Sequence, residues 1–531
     1  MKILFAALHQ GYYRNLESVI EQLAGRGHRI FLGHERQDSA IGGQGIVDRL
    51  TSGCPNVTSG RIPSREPAYA FVASKVRLGF DYLRYLHPMY SPVSGLRSRA
   101  QVRTPQGIVW LSQSSMMSSR AAQRLVARWL DAIDRAIPSS PAIDEFLDEH
   151  QPDLVVLTPL IGLGMSSQLD VLRSARSRRT PTGVLVWSWD HLSSKAIIRD
   201  DVDGLFVWND AQKREAVEMH DVRQDRIVVT GAQCFDKWFD RGPSRGRAEF
   251  LRHVGLPERT PYVAWVCSAL LPGSPPEPEL VARWAAHLRS SSDPRLCDIG
   301  ILIRPHPSRT ADWDGVDWRR FGHTVLFGEN PIEEAARDDY FDTLYHSAAI
   351  VGITTSAFIE AAILDRPVMT VYFDEVKQEH EGSLHFQLLL NFAGGLMTTA
   401  ATLDEHAGQV ANMIDGAPPD VIERQRRFVR AFVRPLGVEV AATGVVADQL
   451  EAIAAKASAV LPCTTSSFAP WGLRALMKME RHPRLRYWLM DEREAAAAMR
   501  MDDKLRRRDE ALARKARQRE EKARRAANRA R

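Results

Sequence analysis

The run Gly352-Ile-Thr354-Thr355-Ser356-Ala-Phe-Ile-Glu360 concentrates chemistry more than any other stretch of this 531-residue chain. A β-type apolar run, 348–351, ends in a glycine and three hydroxyl residues. A helix-type run follows, with one acid in its first turns. A small-residue loop at a helix N-terminus offers unpaired backbone N–H groups and the positive end of the helix dipole, which suits a phosphate or pyrophosphate. The hydroxyls of Thr354, Thr355 and Ser356 add donors. Glu360, one turn in, is placed to accept hydrogen bonds from a ribose. The same residues also fit an ordinary Ser/Thr helix cap. The surrounding elements must decide between the two.

Those elements alternate strand and helix. A strand over 3–7, a helix over about 15–26 with Leu16, Val19, Ile20 and Leu23 at helical spacing, and a strand over 29–33 form a βαβ unit. Such a unit implies a parallel sheet with a right-handed crossover. Its loop, His9-Gln-Gly-Tyr-Tyr-Arg14, lacks the G-x-G-x-x-G dinucleotide fingerprint. Further β-branched runs at 153–157, 183–187, 204–208 and 226–230 read as buried parallel strands. After a polar, arginine-rich stretch at 240–247, five more occur at 262–267, 300–303, 324–327, 349–351 and 368–371, and helices are predicted at 403–415 and 419–457. The predicted organisation is a first domain over 1–245 with a basic helical insert at 57–130, a second over 246–430, helices and linker over 431–495, and a basic helical or disordered tail over 496–531.

Apolar residues make up 44% of the chain, enough for folded domains. Five scattered cysteines, with no C-x-x-C spacing, exclude a disulfide framework and fit a reducing compartment. The opening apolar run is too short for a signal peptide and reads as a strand. No uncharged apolar run approaches the ~20 residues of a spanning helix. The expected location is the cytoplasm, with any membrane role peripheral on the inner face. Residues 57–130 hold eleven Lys/Arg against two acids, and residues 501–531 hold thirteen against six, in a chain whose net charge is only +5. Two basic zones on an acidic body predict an anionic membrane surface as partner, through 57–130 and 496–531. A solvated helix is the alternative for the tail. Its alanine and acid interleaving, without aromatics for base stacking, argues against nucleic acid.

Specific strings resemble a known superfamily. Two αβ domains, the later one carrying a phosphate-type loop near its end, resemble the GT-B architecture of nucleotide-sugar glycosyltransferases. Arg304-Pro-His306-Pro307 resembles the Lys-Pro-His-Pro stretch of CDP-glycerol glycerophosphotransferases of teichoic acid synthesis, with arginine in place of lysine. The spacing from Thr355 to Glu360 resembles their nucleotide-diphosphate loop. The opening unit ending Arg26-Gly-His28 is similar to the first unit of many GT-B enzymes. Trp187-Ser-Trp-Asp190-His-Leu-Ser-Ser-Lys195 and Gly382-Ser-Leu-His385-Phe are similar to segments of bacterial surface-polysaccharide proteins. The resemblance covers about 1–430 and leaves out the tail.

It implies two Rossmann-like domains facing a cleft, C-terminal helices and a charged tail. It also implies transfer of a glycosyl or polyol-phosphate group from a nucleotide-activated donor to a cell-surface polysaccharide or lipid-linked acceptor. Ser268, Arg304, His306, Thr354, Thr355, Ser356 and Glu360 would then hold the donor, with the Arg304 fork on a diphosphate. Arg14 and Lys195 would face the acceptor. Inversion at a sugar carbon needs one general base. His9, Asp190 and His385 are the candidates, and His9 leads because the first loop faces the acceptor in this architecture. Asp190, at a strand end, is expected to have its pKa raised by partial burial, or else to cap the next helix. No D-x-D cluster follows a strand, so neither metal nor cofactor is expected; a reaction lost in EDTA and rescued by Mg²⁺ would contradict this. A nucleotide-sugar 2-epimerase-like isomerase and a non-catalytic binding protein of the same fold are the alternatives.

Overall fold

The structure is a computed structural model that describes residues 1–37, 43–158, 160, 166–199, 202–270, 274–380, 382–456, 468–501, 504, 510, 511 and 514. The tail predicted over 496–531 lies mostly outside the described residues.

The chain divides into two compact units. The first, comprising 1–67, 89–96 and 138–463, contains two parallel sheets. The first sheet is built from β1 (Lys2–His9), β2 (Arg29–Arg36), β3 (Val57–Arg61), β4 (Leu154–Thr158), β5 (Thr182–Leu185), β6 (Gly204–Val207) and β7 (Ile227–Val229), in the order β3-β2-β1-β4-β5-β6-β7. The second is built from β8 (Tyr262–Val266), β9 (Gly300–Arg304), β10 (Thr324–Leu326), β11 (Ala349–Val351), β12 (Val368–Val371) and β13 (Thr398–Ala400), in the order β10-β9-β8-β11-β12-β13. Every pairing is parallel. This is the two-domain α/β architecture of the GT-B type. Val57–Arg61 corrects the predicted helical insert, whose first residues are strand β3 paired with β2. The helix predicted over 419–457 is two, Pro419–Phe432 and Ala442–Ala454.

Side chains alternate across each sheet with period two, so both faces find a core. On one face of the first sheet Ile3, Phe5 and Ala7 pack with Leu16, Val19, Ile20 and Leu23 of helix Glu17–Gly25. On the other, Leu4 and Ala6 pack with Ile143, Leu147, Val171 and Leu172. In the second sheet Trp265 packs with Trp284, while Ala264 packs with Phe358 and Phe432. The helix Ala442–Ala454 returns to the first sheet, where Val446, Ala447 and Leu450 join the core of β1. Its start is held by Asp236, which accepts from the N–H of Ala442 at 3.2 Å and of Thr443 at 2.6 Å, and pairs with Arg434 at 3.0 Å. Glu17 of the first domain is buried between Arg49 at 3.0 Å and Arg337 of the second at 2.7 Å, an ion triad that ties the domains.

The second unit, 68–88, 97–137 and 464–531, is helical where described. Helices Pro67–Arg84, Arg120–Ala136 and Ala469–Arg481 share a core of Val72, Val76, Leu130, Ile133 and Leu473. Part of the predicted basic surface is consumed inside it. Arg77 pairs with the fully buried Asp134 at 3.0 Å, and Lys75 pairs with Glu494 and with Asp491 at 3.4 Å.

Candidate active site

In an open parallel sheet, ligands bind beyond the carboxyl ends of the strands at the point where strand order reverses. In the second sheet that point lies between β8 and β11. Ser268 follows β8, and residues 352–356 follow β11. Gly352 is required there, because a Cβ would lie 2.7 Å from the carbonyl oxygen of Val266. Ser268 is buried; its N–H donates to Glu277 Oε2 at 2.8 Å, and its Oγ accepts from the Thr354 N–H at 3.0 Å. Glu277 also accepts from the Trp265 indole at 3.0 Å, which fixes the carboxylate. The loop is therefore anchored at Thr354. Beyond it, the N–H groups of Thr355 and Ser356 have no acceptor among the described residues. The Ser356 side chain makes no cap, and the Thr355 hydroxyl accepts only a long bond of 3.4 Å from the Ala357 N–H.

Arg304 closes β9 and is only 4% exposed. Its Nη2 donates to the carbonyl of Glu329 at 2.7 Å, and its guanidinium lies 4.7 Å over the Tyr340 ring. Its Nη1 is buried without a partner among the described residues. Gly328, at φ +112°, leaves the room this head occupies; a Cβ there would collide with Nη1. The Tyr340 hydroxyl donates to Glu360 Oε2, and Trp238 supports the Tyr340 ring edge-on at 5.7 Å. Arg304, Tyr340 and Glu360 thus form a continuous chain. Burial pushes the Tyr340 phenol well up and the Glu360 carboxyl up, and pulls the Arg304 guanidinium down. In all three, burial disfavours the charged form, and the Tyr340 phenol stays neutral.

His306 accepts at Nδ1 from the Ser308 N–H at 3.3 Å and lies 2.8 Å from its hydroxyl, which leaves the proton on Nε2 as an outward donor. Burial, then the charges of Arg14 and Arg309, lower its pKa, so it is neutral at pH 7. The exposed Arg14 also opposes the upward shifts of Tyr340 and Glu360. Its charge therefore stands with the second-domain group, although the sequence places it with the acceptor residues.

In the first sheet, order reverses between β1 and β4. His9 ends β1 and stacks on Tyr12 at 4.0 Å; Tyr12 meets Trp187 edge-on at 5.0 Å, and Asn15 donates to the Trp187 carbonyl at 3.1 Å. Burial and the Asp190 charge push the Tyr12 phenol up to about 12. Asp190 corrects an expectation. Burial does favour its protonated form, but the Lys195 ammonium, His385 and hydrogen bonds from Ser188 and Lys195 outweigh burial and hold it well below the usual carboxylate range. Lys195 is ion-paired to it at 2.9 Å, and Ser194 Oγ donates to it at 2.9 Å. Its side chain does not cap the following helix. Trp189 meets His385 of the second domain edge-on at 4.7 Å, so the Asp190 and His385 segments face each other.

Sequence reasoning missed Tyr340, which sits inside helix Glu334–Tyr345 with no strand end to mark it. It also missed Glu35, near the end of β2, which is 5% exposed and accepts from Ser166 Oγ at 2.7 Å and from the Ser167 N–H at 2.9 Å. Burial pushes the Glu35 carboxyl up to about 6. A carboxyl raised in the folded state contributes stability below its unfolded pKa, and that contribution is lost as pH rises through the folded value; from the ordinary 4.5 to about 6 the cost at neutral pH is roughly 2 kcal/mol. Glu35→Gln carries no charge at any pH. The stability difference between variant and wild type is expected to move in favour of the variant between pH 4.5 and 6.5, read by chemical denaturation at each pH; a difference independent of pH would contradict the assignment.

The two parallel sheets and the polar groups at their strand ends define a two-domain α/β protein. No family model matches the chain, and no curated protein matches it. Among solved structures it is similar to a UDP-GlcNAc 2-epimerase from Neisseria meningitidis bound to UDP-GlcNAc, at 12% identity over 85% of this chain and 100% of that one, with a TM-score of 0.48. It is similar to a glycosyltransferase from Rickettsia africae at 11% identity over 85% and 98%, TM-score 0.48. It is also similar to the wall teichoic acid polymerase TagF at 10% identity over 86% and 88%, TM-score 0.42. Among the described residues, no three His, Cys, Asp or Glu side chains gather as a metal site would require.

Proposed function

We propose that the cleft binds the diphosphate of a nucleotide-activated sugar or polyol and transfers the activated group to a cell-surface polysaccharide or lipid-linked acceptor. The observation that carries this reading is the buried Arg304 with an unpartnered Nη1, at the carboxyl end of β9. A buried guanidinium without an anion is costly, and a diphosphate oxygen is the ligand that would complete it. The Thr355 and Ser356 N–H groups and the neutral His306 Nε2–H supply further donors, and Arg14 adds positive charge. Glu360 keeps Oε1 for a ribose hydroxyl while Tyr340 holds Oε2.

The proposed base is His9, with Asp190 a fixed negative charge that Lys195 and His385 hold ionised. Such a carboxylate is a weak proton acceptor, and a His385 that carries the charge holding it ionised cannot accept a proton in that state, which favours His9. The leaving nucleotide, a diphosphate when a glycosyl group moves and a monophosphate when a polyol phosphate moves, would be stabilised by cationic and N–H donors in place before reaction.

The test is a thermal-shift series with UDP, GDP, CDP and ADP, followed by donor turnover with and without acceptor. One base is expected to raise the melting temperature; at a hundredfold excess over Kd the bound nucleotide contributes about 2.7 kcal/mol. Acceptor-dependent release of nucleotide supports the transferase. Donor interconversion without acceptor means an isomerase, and binding without turnover means a binding protein. No shift with any nucleoside diphosphate sinks the reading.

A further inference from the structure

The helical unit places its large apolar side chains outward to an unusual degree. On helix Arg120–Ala136, Leu125 is 69% and Trp129 46% exposed, one turn apart. Phe468 at 75% and Trp471 at 69% stand at the start of helix Ala469–Arg481. The two helices pack together at Gly472, where a Cβ would lie 2.9 Å from Ile133 and 3.6 Å from Trp129. Trp129 and Trp471 therefore flank one helix–helix seam as an apolar strip, and Leu125 and Phe468 each lie one turn from them on their own helices.

Cations border the strip. Arg124 and Arg128 lie beside Leu125 and Trp129 on the same exposed side. Arg474 lies 5.6 Å from the Trp471 ring, and Lys478 is exposed one turn further on. None of these four has an ion-pair partner among the described residues, unlike Lys75 and Arg77 inside the same unit. Exposed tryptophan and phenylalanine bordered by unpaired arginine and lysine match the headgroup layer of a bilayer. There, indole rings sit between water and hydrocarbon, and cations meet anionic lipid. A protein groove would be expected to answer the cations with ion pairs over a narrower apolar stripe. No described helix is long and apolar enough to cross a membrane, so contact would be in the plane of the interface.

We propose that the paired helices Arg120–Ala136 and Ala469–Arg481 are a docking face for an anionic lipid bilayer, inserted through Leu125, Trp129, Phe468 and Trp471. This deepens the proposal of a lipid-linked or surface acceptor, but it locates the contact in aromatic insertion, not in charge along 57–130 and the tail. The two sources of affinity separate with salt. Electrostatic attraction falls off as salt shortens the Debye length, whereas apolar insertion persists.

The test is flotation of the full chain with vesicles of phosphatidylcholine alone or mixed with phosphatidylglycerol. Wild type is expected to bind mixed vesicles and to keep a bound fraction at high salt. The triple variant Trp129→Ser, Phe468→Ser, Trp471→Ser is expected to lose that fraction, with affinity down roughly tenfold or more per buried aromatic group. Arg124→Gln with Arg128→Gln is expected to lower binding at low salt only. Phe468 and Trp471 are mostly exposed, so the double variant Phe468→Ser, Trp471→Ser should melt as wild type does even if Trp129→Ser, in the seam, lowers the melting temperature, and thermal shifts with nucleoside diphosphates should be retained in both. Those shifts report on the cleft, so their failure and the failure of lipid binding are separate outcomes. Absence of vesicle binding, or equal binding by the triple variant, overturns the proposal. Concentration-dependent self-association of wild type that the triple variant abolishes, without lipid binding, also overturns it in favour of a second copy of the chain.

Discussion

Arg304→Met is expected to abolish nucleoside-diphosphate binding while leaving the free protein at least as stable as wild type. The two halves of this result have one cause. The guanidinium is buried, one nitrogen lacks a partner, and burial already pulls its pKa down. Replacing a buried charge by an apolar side chain of similar length is often neutral or stabilising. Its lost contacts, the Glu329 carbonyl and the Tyr340 ring, are partly replaced by packing of the thioether. The ligand has no such substitute. Removing one side of a buried, hydrogen-bonded charge pair costs roughly 30- to 5,000-fold in affinity. Arg304→Lys is expected to recover only part of the loss, because an ammonium cannot present the planar fork. Calorimetric titration with the best nucleotide, beside a melting curve without it, checks both halves. A variant that melts far below wild type and binds normally would make Arg304 a structural residue.

His9→Ala is expected to lower kcat by roughly a hundred- to ten-thousandfold, the range for loss of a general base, with nucleotide affinity unchanged. His9 ends a strand of the first domain, whereas the donor groups sit on the second, so binding and proton transfer should separate. His385→Asn is the control. It faces Trp189 across the cleft, and its charge helps keep Asp190 ionised. If His9→Ala turns over within tenfold of wild type while His385→Asn does not, the base role passes to His385. A pH profile adds a readout, since a lost base removes the acid limb of kcat.

The strands most legible in the sequence are those buried on both faces, although the outer β7 and β10 are also legible from their β-branched runs. β4, β8 and β11 are continuous apolar runs with no alternation, and such runs announce themselves. β3 and β13 were not legible. Val-Thr-Ser-Gly-Arg and Thr-Thr-Ala form the outer strands of their sheets, where half the residues meet water and the apolar signal fades. The loops at strand ends could be singled out from the sequence because each follows a β-type run, and the structure does place Ser268, Arg304 and residues 352–356 after β8, β9 and β11. Tyr340 could not be, because a tyrosine inside a helix gains its meaning only from Arg304 above its ring and Glu360 at its hydroxyl. Asp190 was misread electrostatically for the same reason: burial is visible in a neighbouring tryptophan, but the ion pair with Lys195 is visible only once the turn is folded.

Helix Ala442–Ala454 finishes the core of the first sheet, yet it is made late. Its first residue follows the end of β7 by about two hundred positions, and a ribosome adding roughly 5–20 residues per second delivers it some 10–40 seconds afterwards. Throughout that interval the slot for Val446, Ala447 and Leu450 beside Leu23 stands open to water. The nascent first half therefore carries an apolar seam that nothing local can close until its own distant segment arrives. For the same reason, a fragment ending before residue 442 lacks a wall of its core, and the two halves of this protein mature together or not at all.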